Sequence, residues 1–266
     1  MLRSVVGETL YARWRAIAGW ASELAAVCAL IVAIYPSFAH VHALATLAKS
    51  FPASVTAFVG YGGEIDYTTP VGFLGTELFT VMLPLLMLAL AIGAGARAIA
   101  SEEEAATLDL LLANPLSRRW LVIEKAAALA LELLVFAVAI FAALALTSQG
   151  MGVHVRTERL AAAVAFVFLL ALLFGTLALC VGAATGRRGL AVGVPAALAA
   201  VAYLVNGVAP LVSFLRGLAK ATPFYHYTAP APLAHGFQAD HAAVLLVPAL
   251  ALVAAAVALF ERRDLA

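Results

Sequence analysis

The chain has 266 residues, 65% of them hydrophobic and 12% charged, with a formal net charge of +1. A soluble domain carries roughly 25% charged residues, so much of the usual polar surface is missing and lipid must solvate most of the molecule. The near-neutral balance offers no basic surface to nucleic acid.

A membrane-crossing helix needs about 20 mostly apolar residues, and six runs qualify, at 16–35, 76–96, 126–146, 160–184, 190–211 and 242–260. Their Leu-, Ala- and Val-rich make-up specifies helices, and the alternation of barrel strands is absent. Ahead of the first run, Val6, Leu10, Trp14 and Ile17 recur at helical spacing among Arg3, Glu8, Arg13 and Arg15. This pattern predicts an interfacial helix in the headgroup plane before the chain turns into the bilayer. Ser37-Phe-Ala39 resembles a signal-peptide cleavage site, but the run before it exceeds the usual core of about 7–15 residues, so the first span is expected to be retained. Residues 44–59 read as a short helix on the outer leaflet, closed by Gly60-Tyr-Gly-Gly63 and a polar turn ending at Pro70.

Pro84 and Pro195 are expected to kink the second and fifth spans. Gly182/Gly186 and Gly189/Gly193 lie four residues apart, a spacing that lets helices approach closely. It reads as packing within one subunit in preference to a dimer seam. A second outer segment, 211–240, follows Pro210 and carries Pro223, Pro230 and Pro232 around Phe224-Tyr-His-Tyr227, aromatics suited to a membrane interface. No separate soluble domain has room in the chain, and neither Gly-rich phosphate-binding motif occurs. With the N-terminus inside, Arg3, Arg13, Arg15, Arg97, Arg118, Arg119, Lys125, Arg187, Arg188, Arg262 and Arg263 face the cytoplasm, and only Lys49, Arg156, Arg159, Arg216 and Lys220 face out. That bias puts both termini in the cytoplasm.

The segment 101–119, between the second and third spans, carries the most chemistry. Ser101 with Glu104 three residues on forms a capping-box pattern, and Glu102, Glu103 and Glu104 fill a first turn where the helix dipole favours negative charge. Leu108, Leu111 and Leu112 share one arc with Ala105 at its edge, while Glu102, Glu103, Thr107 and Asp109 lie off it. Asn114-Pro115 stops the helix, and Ser117 can cap the next one, which opens with Arg118 and Arg119. The pattern predicts a stiff amphipathic hairpin on the inner surface; an ordinary loop with snorkelling arginines fits the same residues.

Residues 97–125, with the run Ser-Glu-Glu-Glu-Ala-Ala-Thr-Leu-Asp-Leu-Leu-Leu-Ala-Asn-Pro-Leu-Ser-Arg-Arg at their centre, resemble the type 2 ABC exporter permeases. Those show an acidic pair, Gly-Thr-Leu-x-Leu-Leu-Leu, Pro-(Val/Leu)-Ser-Arg and a Lys opening the third span. Ala106 stands where that family usually has Gly. Thr222-Pro-Phe-Tyr-His-Tyr-Thr228, with Pro232-Leu233 and Gly236, is similar to the family's segment between the fifth and sixth spans. The resemblance implies an all-α integral membrane protein, a single permease domain over 1–266, in the plasma membrane of a prokaryote. It also implies a homodimer, or half of a heterodimer, driven by cytosolic ABC ATPase subunits that bind the ATP and magnesium. The hairpin would be the coupling helix. Glu102, Glu103 and Glu104 would meet basic residues on the ATPase and Leu108 and Leu111 would anchor the hairpin, with Thr107, Asp109, Pro115 and Arg118 completing the contact set.

Glu132 in the third span could line a substrate path or pair with a neighbouring helix. Glu23 reads as structural, and Asn206 in the fifth span as an interhelical hydrogen-bonding residue, with a place on a substrate path as the other reading. Cys28 and Cys180 lie in apolar runs without CxxC spacing and read as inert thiols. His40, His42, His154, His226 and His235 fall on the outer side, and their spacing identifies no metal site. The function read from these features is ATP-driven export of an amphipathic or lipid-like substrate by a non-catalytic subunit. An ATP-independent secondary transporter and a mechanical assembly component driven by a partner ATPase remain alternatives.

Overall fold

The computed structural model describes residues 5–39, 69–104 and 117–263. Six of its helices are long and apolar enough to cross a membrane: α1 (Val5–Ala39), α2 (Pro70–Ala98), α4 (Arg118–Gly150), α5 (Thr157–Thr185), α6 (Arg188–Val208) and α10 (Ala239–Glu261). Short helices α3 (Ala100–Glu104), α7 (Leu215–Ala219), α8 (Pro223–Thr228) and α9 (Pro232–His235) fill connections. The described residues contain helices and no strands, so the chain is an all-α membrane protein. Successive spans alternate in direction. The starts of α1, α4 and α6 and the ends of α2, α5 and α10 therefore gather at one end of the bundle, here called the charged end.

The first helix departs from expectation. It is a single helix of 35 residues with no turn after residue 17, about 52 Å long at 1.5 Å per residue against a hydrocarbon core of roughly 30 Å. Its early turns run alongside α4, in parallel, instead of lying flat as a separate interfacial helix. The Val6 N–H donates to Glu124 Oε2 at 3.2 Å, Lys125 Nζ to Thr9 Oγ1 at 3.4 Å and Arg13 Nη1 to Glu132 Oε2 at 2.7 Å. Ile17 is buried in the main core. An apolar stripe serves a neighbouring helix as well as it serves lipid, so the periodicity alone did not distinguish them.

The centre of the bundle is α5, buried along most of its length. Its closest neighbour is α2, and the reason is glycine. A Cβ on Gly95 would run into the Gly175 carbonyl oxygen and lie 3.0 Å from Ala178 Cβ, and one on Gly175 would sit 3.2 Å from the Ala91 oxygen. Two backbones thus touch, a packing that stabilises membrane helices without any hydrophobic force between them. Of the glycine pairs seen in the sequence, Gly182 does pack within the subunit, facing Ala100 and Ala191, and Gly186 ends α5 in the left-handed conformation at φ 63°. Gly189 and Gly193 have nothing within 4 Å.

Thr69 caps α2, its Oγ1 accepting the Gly72 N–H at 3.2 Å, and Pro70 opens the helix. Pro84 then acts on the turns before it. Its ring lacks an N–H and crowds the carbonyl four residues back, and residues Gly75–Met82 widen into a π-helix in which the Leu83 N–H reaches back to the Leu78 carbonyl. The Thr80 hydroxyl bonds the Gly75 carbonyl at 2.9 Å in the same five-residue step. The proposed short helix at 44–59 and the turn at 60–68 lie outside the described residues.

Gly95→Ala should destabilise the bundle by about 1–3 kcal/mol through overpacking, whereas Gly189→Ala should be neutral or gain up to about 1 kcal/mol of helix propensity. Thermal melts in mild detergent compare the two.

Candidate functional site

The charged end holds the candidate site. A second apolar cluster of Val5, Ile99, Leu121, Val122, Leu179 and Phe260 ties five spans together there, and the charged side chains are arranged around it. After α2 the backbone breaks at Ile99 (φ −128°, ψ −54°), and α3 begins at Ala100. The Glu103 N–H donates to the Ile99 carbonyl at 3.0 Å. Ser101 therefore lies inside the helix and is not its cap, and its buried Oγ has no hydrogen-bond partner among the described residues. This corrects the expected capping box, because the break came two residues earlier than Ser101.

The acidic run is used inside the chain. Glu103 forms a two-pronged ion pair with Arg263, just beyond α10, with Nη1 to Oε2 at 2.9 Å. Glu104 Oε1 accepts the Arg188 N–H at 2.8 Å, supplying an acceptor to the start of α6, which has no side-chain cap of its own. Glu102 lies in α3, and its side chain is outside the described residues, as are Thr107, Leu108, Asp109, Leu111 and Pro115. On the far side of that gap, Ser117 caps α4 as expected, its Oγ accepting the Trp120 N–H at 3.3 Å. Arg118 Nη1 donates to the Arg263 carbonyl at 2.7 Å.

Glu132 is 5% exposed and answered by Arg13. Arg97 lies within electrostatic reach of both, and its buried Nε has no hydrogen-bond partner among the described residues. Tyr11 and Trp14 are exposed on the same turns of α1. The Arg13–Glu132 contact joins α4 to α1, as the helix-pairing reading of Glu132 requires. The Asn206 Nδ2 donates to Thr228 Oγ1 at 3.4 Å, linking α6 to α8.

At the opposite end, the Tyr227 hydroxyl donates to the Phe79 carbonyl, inside the π-helical stretch. His226 and His241 face each other through their Nδ1 atoms at 3.1 Å, and His226 Nε2 meets the Lys220 carbonyl at 2.9 Å. No three His, Cys, Asp or Glu side chains converge among the described residues. The sequence reading treats Arg188 and Arg263 as topogenic charges, and Arg13 as that and as part of the polar face of an interfacial helix. Their acidic partners lie 84 to 160 residues away, and no local pattern signals such pairings.

The family described as ABC-2 family transporter protein matches residues 17–265. No curated protein matches the chain.

Arg13→Ala leaves the buried Glu132 carboxylate without its hydrogen-bonded partner, with Arg97 only within electrostatic reach, and should cost about 2 kcal/mol, moderated by the 29% exposure of the Arg13 side chain. Arg13→Ala combined with Glu132→Gln should recover part of that loss, as read by a double-mutant cycle of unfolding in detergent.

Proposed function

The chain belongs to the ABC-2 family transporter protein family, and from that membership we propose that it is the permease of an ATP-driven exporter whose ATPase seat is the connection between α3 and α4. It is a membrane subunit of an ABC transporter, a kind that works with ABC ATPase partners. Beyond that, our reading is of a non-catalytic subunit with ATP and magnesium held by the partner, both termini cytoplasmic, in the plasma membrane of a prokaryote. The charged end is then the cytoplasmic end. The observation that carries this reading is the anchoring of the connection on both flanks, by Glu103 and Glu104 before it and by Arg118 after it. A segment so fastened can receive force.

Within the acidic run the roles divide. Glu103 and Glu104 are occupied inside the chain, so we assign the partner contact to Glu102, Thr107, Asp109 and the apolar Leu108 and Leu111. The cargo we propose is amphipathic or lipid-like, in keeping with a groove of about 410 Å³ between α2 and α6, lined by apolar side chains and Tyr203. A second copy is assigned to the same side. Gly189, Gly193, Ala196 and Ala200 form one stripe of small residues on α6, exposed in the single chain, as helix pairs in membranes require.

Affinity purification from the native host in mild detergent, followed by mass spectrometry, should recover a soluble ATPase in stoichiometric amount. Recovery of the chain alone, under conditions that preserve known ABC complexes, would remove the assignment. Glu102→Arg combined with Asp109→Arg should abolish ATPase recovery while the melting profile stays unchanged. Ala200→Cys should give an oxidised dimer in native membranes, and Leu250→Cys on the exposed face of α10 should not.

A further inference from the structure

One residue touches both described flanks of the connection between α3 and α4. The guanidinium of Arg263 holds both carboxylate oxygens of Glu103 in α3 and reaches the Ala183 carbonyl in α5 at 3.5 Å. Its own carbonyl accepts Arg118, the first residue of α4. Glu103 and Arg118 stand on the two flanks of 105–116, so both flanks are tied to the same residue at the end of the last span.

The site is built to receive this contact. Gly186, at φ 63°, forms the turn between α5 and α6, and a Cβ there would lie 2.6 Å from either Glu103 oxygen and collide with Arg263. The turn leaves out a side chain where the ion pair lies. The pair is about three-quarters buried on both sides. A guanidinium–carboxylate fork fixes direction as well as distance, which an exposed pair of mobile side chains does not.

We propose that Arg263 is a positioning residue that fastens both flanks of the connection to the end of the sixth span, so that these flanks and the end of α10 move as one body. Its functional consequence rests on the reading of 105–116 as the ATPase seat. Displacement delivered there passes to α10 through Arg263 directly, without first bending α2 or α4.

Amide hydrogen exchange in the full chain, held in lipid nanodiscs, tests the tie. Two segments are followed, 100–104 and 257–263, in wild type, Arg263→Gln, Arg263→Lys, Arg263→Glu and the reciprocal Glu103→Arg/Arg263→Glu exchange. Arg263→Gln and Arg263→Glu should speed exchange in both segments together by about tenfold. Arg263→Lys should fall between, because an ammonium makes no fork, and the reciprocal exchange should return towards wild type. Unchanged exchange at 100–104, or loosening there without loosening at 257–263, overturns the tie, as does failure of the reciprocal exchange to recover.

A second arm adds the ATPase recovered with the chain. Wild type and Arg263→Gln should bind it within about twofold of each other, while an ATP-dependent change in exchange at 257–263 appears in wild type and is lost in the variant. The same ATP response in both overturns the transmission role. No binding to wild type overturns the proposed function instead, and the tie is then decided by the first arm alone.

Discussion

The contact on which the rest of the molecule depends is the one between the backbones of α2 and α5 at Gly95 and Gly175. In lipid, helices gain no hydrophobic energy by meeting, so dispersion at close range must hold them, and close range needs the absence of side chains. From this seat the end of α2 is set, and Ala100 meets Gly182 one turn further on. The acidic residues of α3 then reach Arg188 and Arg263 with no slack in the chain. Electrostatic contacts at the charged end are thus consequences of an apolar fit some residues away.

The two ends of the bundle handle irregular backbone differently. At the charged end the break at Ile99 is closed by ordinary backbone bonding, and polar side chains answer the exposed helix starts. At the opposite end the irregularity lies inside α2, where proline forces a wider turn. A carbonyl loosened from its usual helical partner needs another donor in a medium without water, and the Tyr227 hydroxyl supplies one from α8. The aromatic segment between the fifth and sixth spans therefore completes the second span, a role distinct from headgroup anchoring.

Span number and order were legible in the sequence because a 20-residue apolar window has few other uses. The observed helices overrun the expected ones mostly at their polar ends, where hydropathy falls but helical hydrogen bonding continues: α4 starts at Arg118, eight residues before the apolar run at 126. The cap at Ser117 was readable because its partner lies three residues on. Ser101 carried a fuller local signature, a capping box with Glu104, and failed, since the break that starts α3 falls at Ile99, where Ile99 and Ala100 are buried, and no short motif encodes that packing. The acidic run was visible, but its neighbours were not. Glu103 meets a residue 160 positions away and Glu104 one 84 away, and the glycine that makes room for the first of these looked like half of a packing pair.

The parallel pairing of α1 with α4 has a consequence for biosynthesis. Arg13 leaves the ribosome 119 residues ahead of Glu132, an interval on the order of ten seconds at ordinary elongation rates. During that time Arg13 is without the partner that α4 supplies. The contact that joins α1 to α4 therefore forms only once much of the third span has been made, after the whole of the second span already exists.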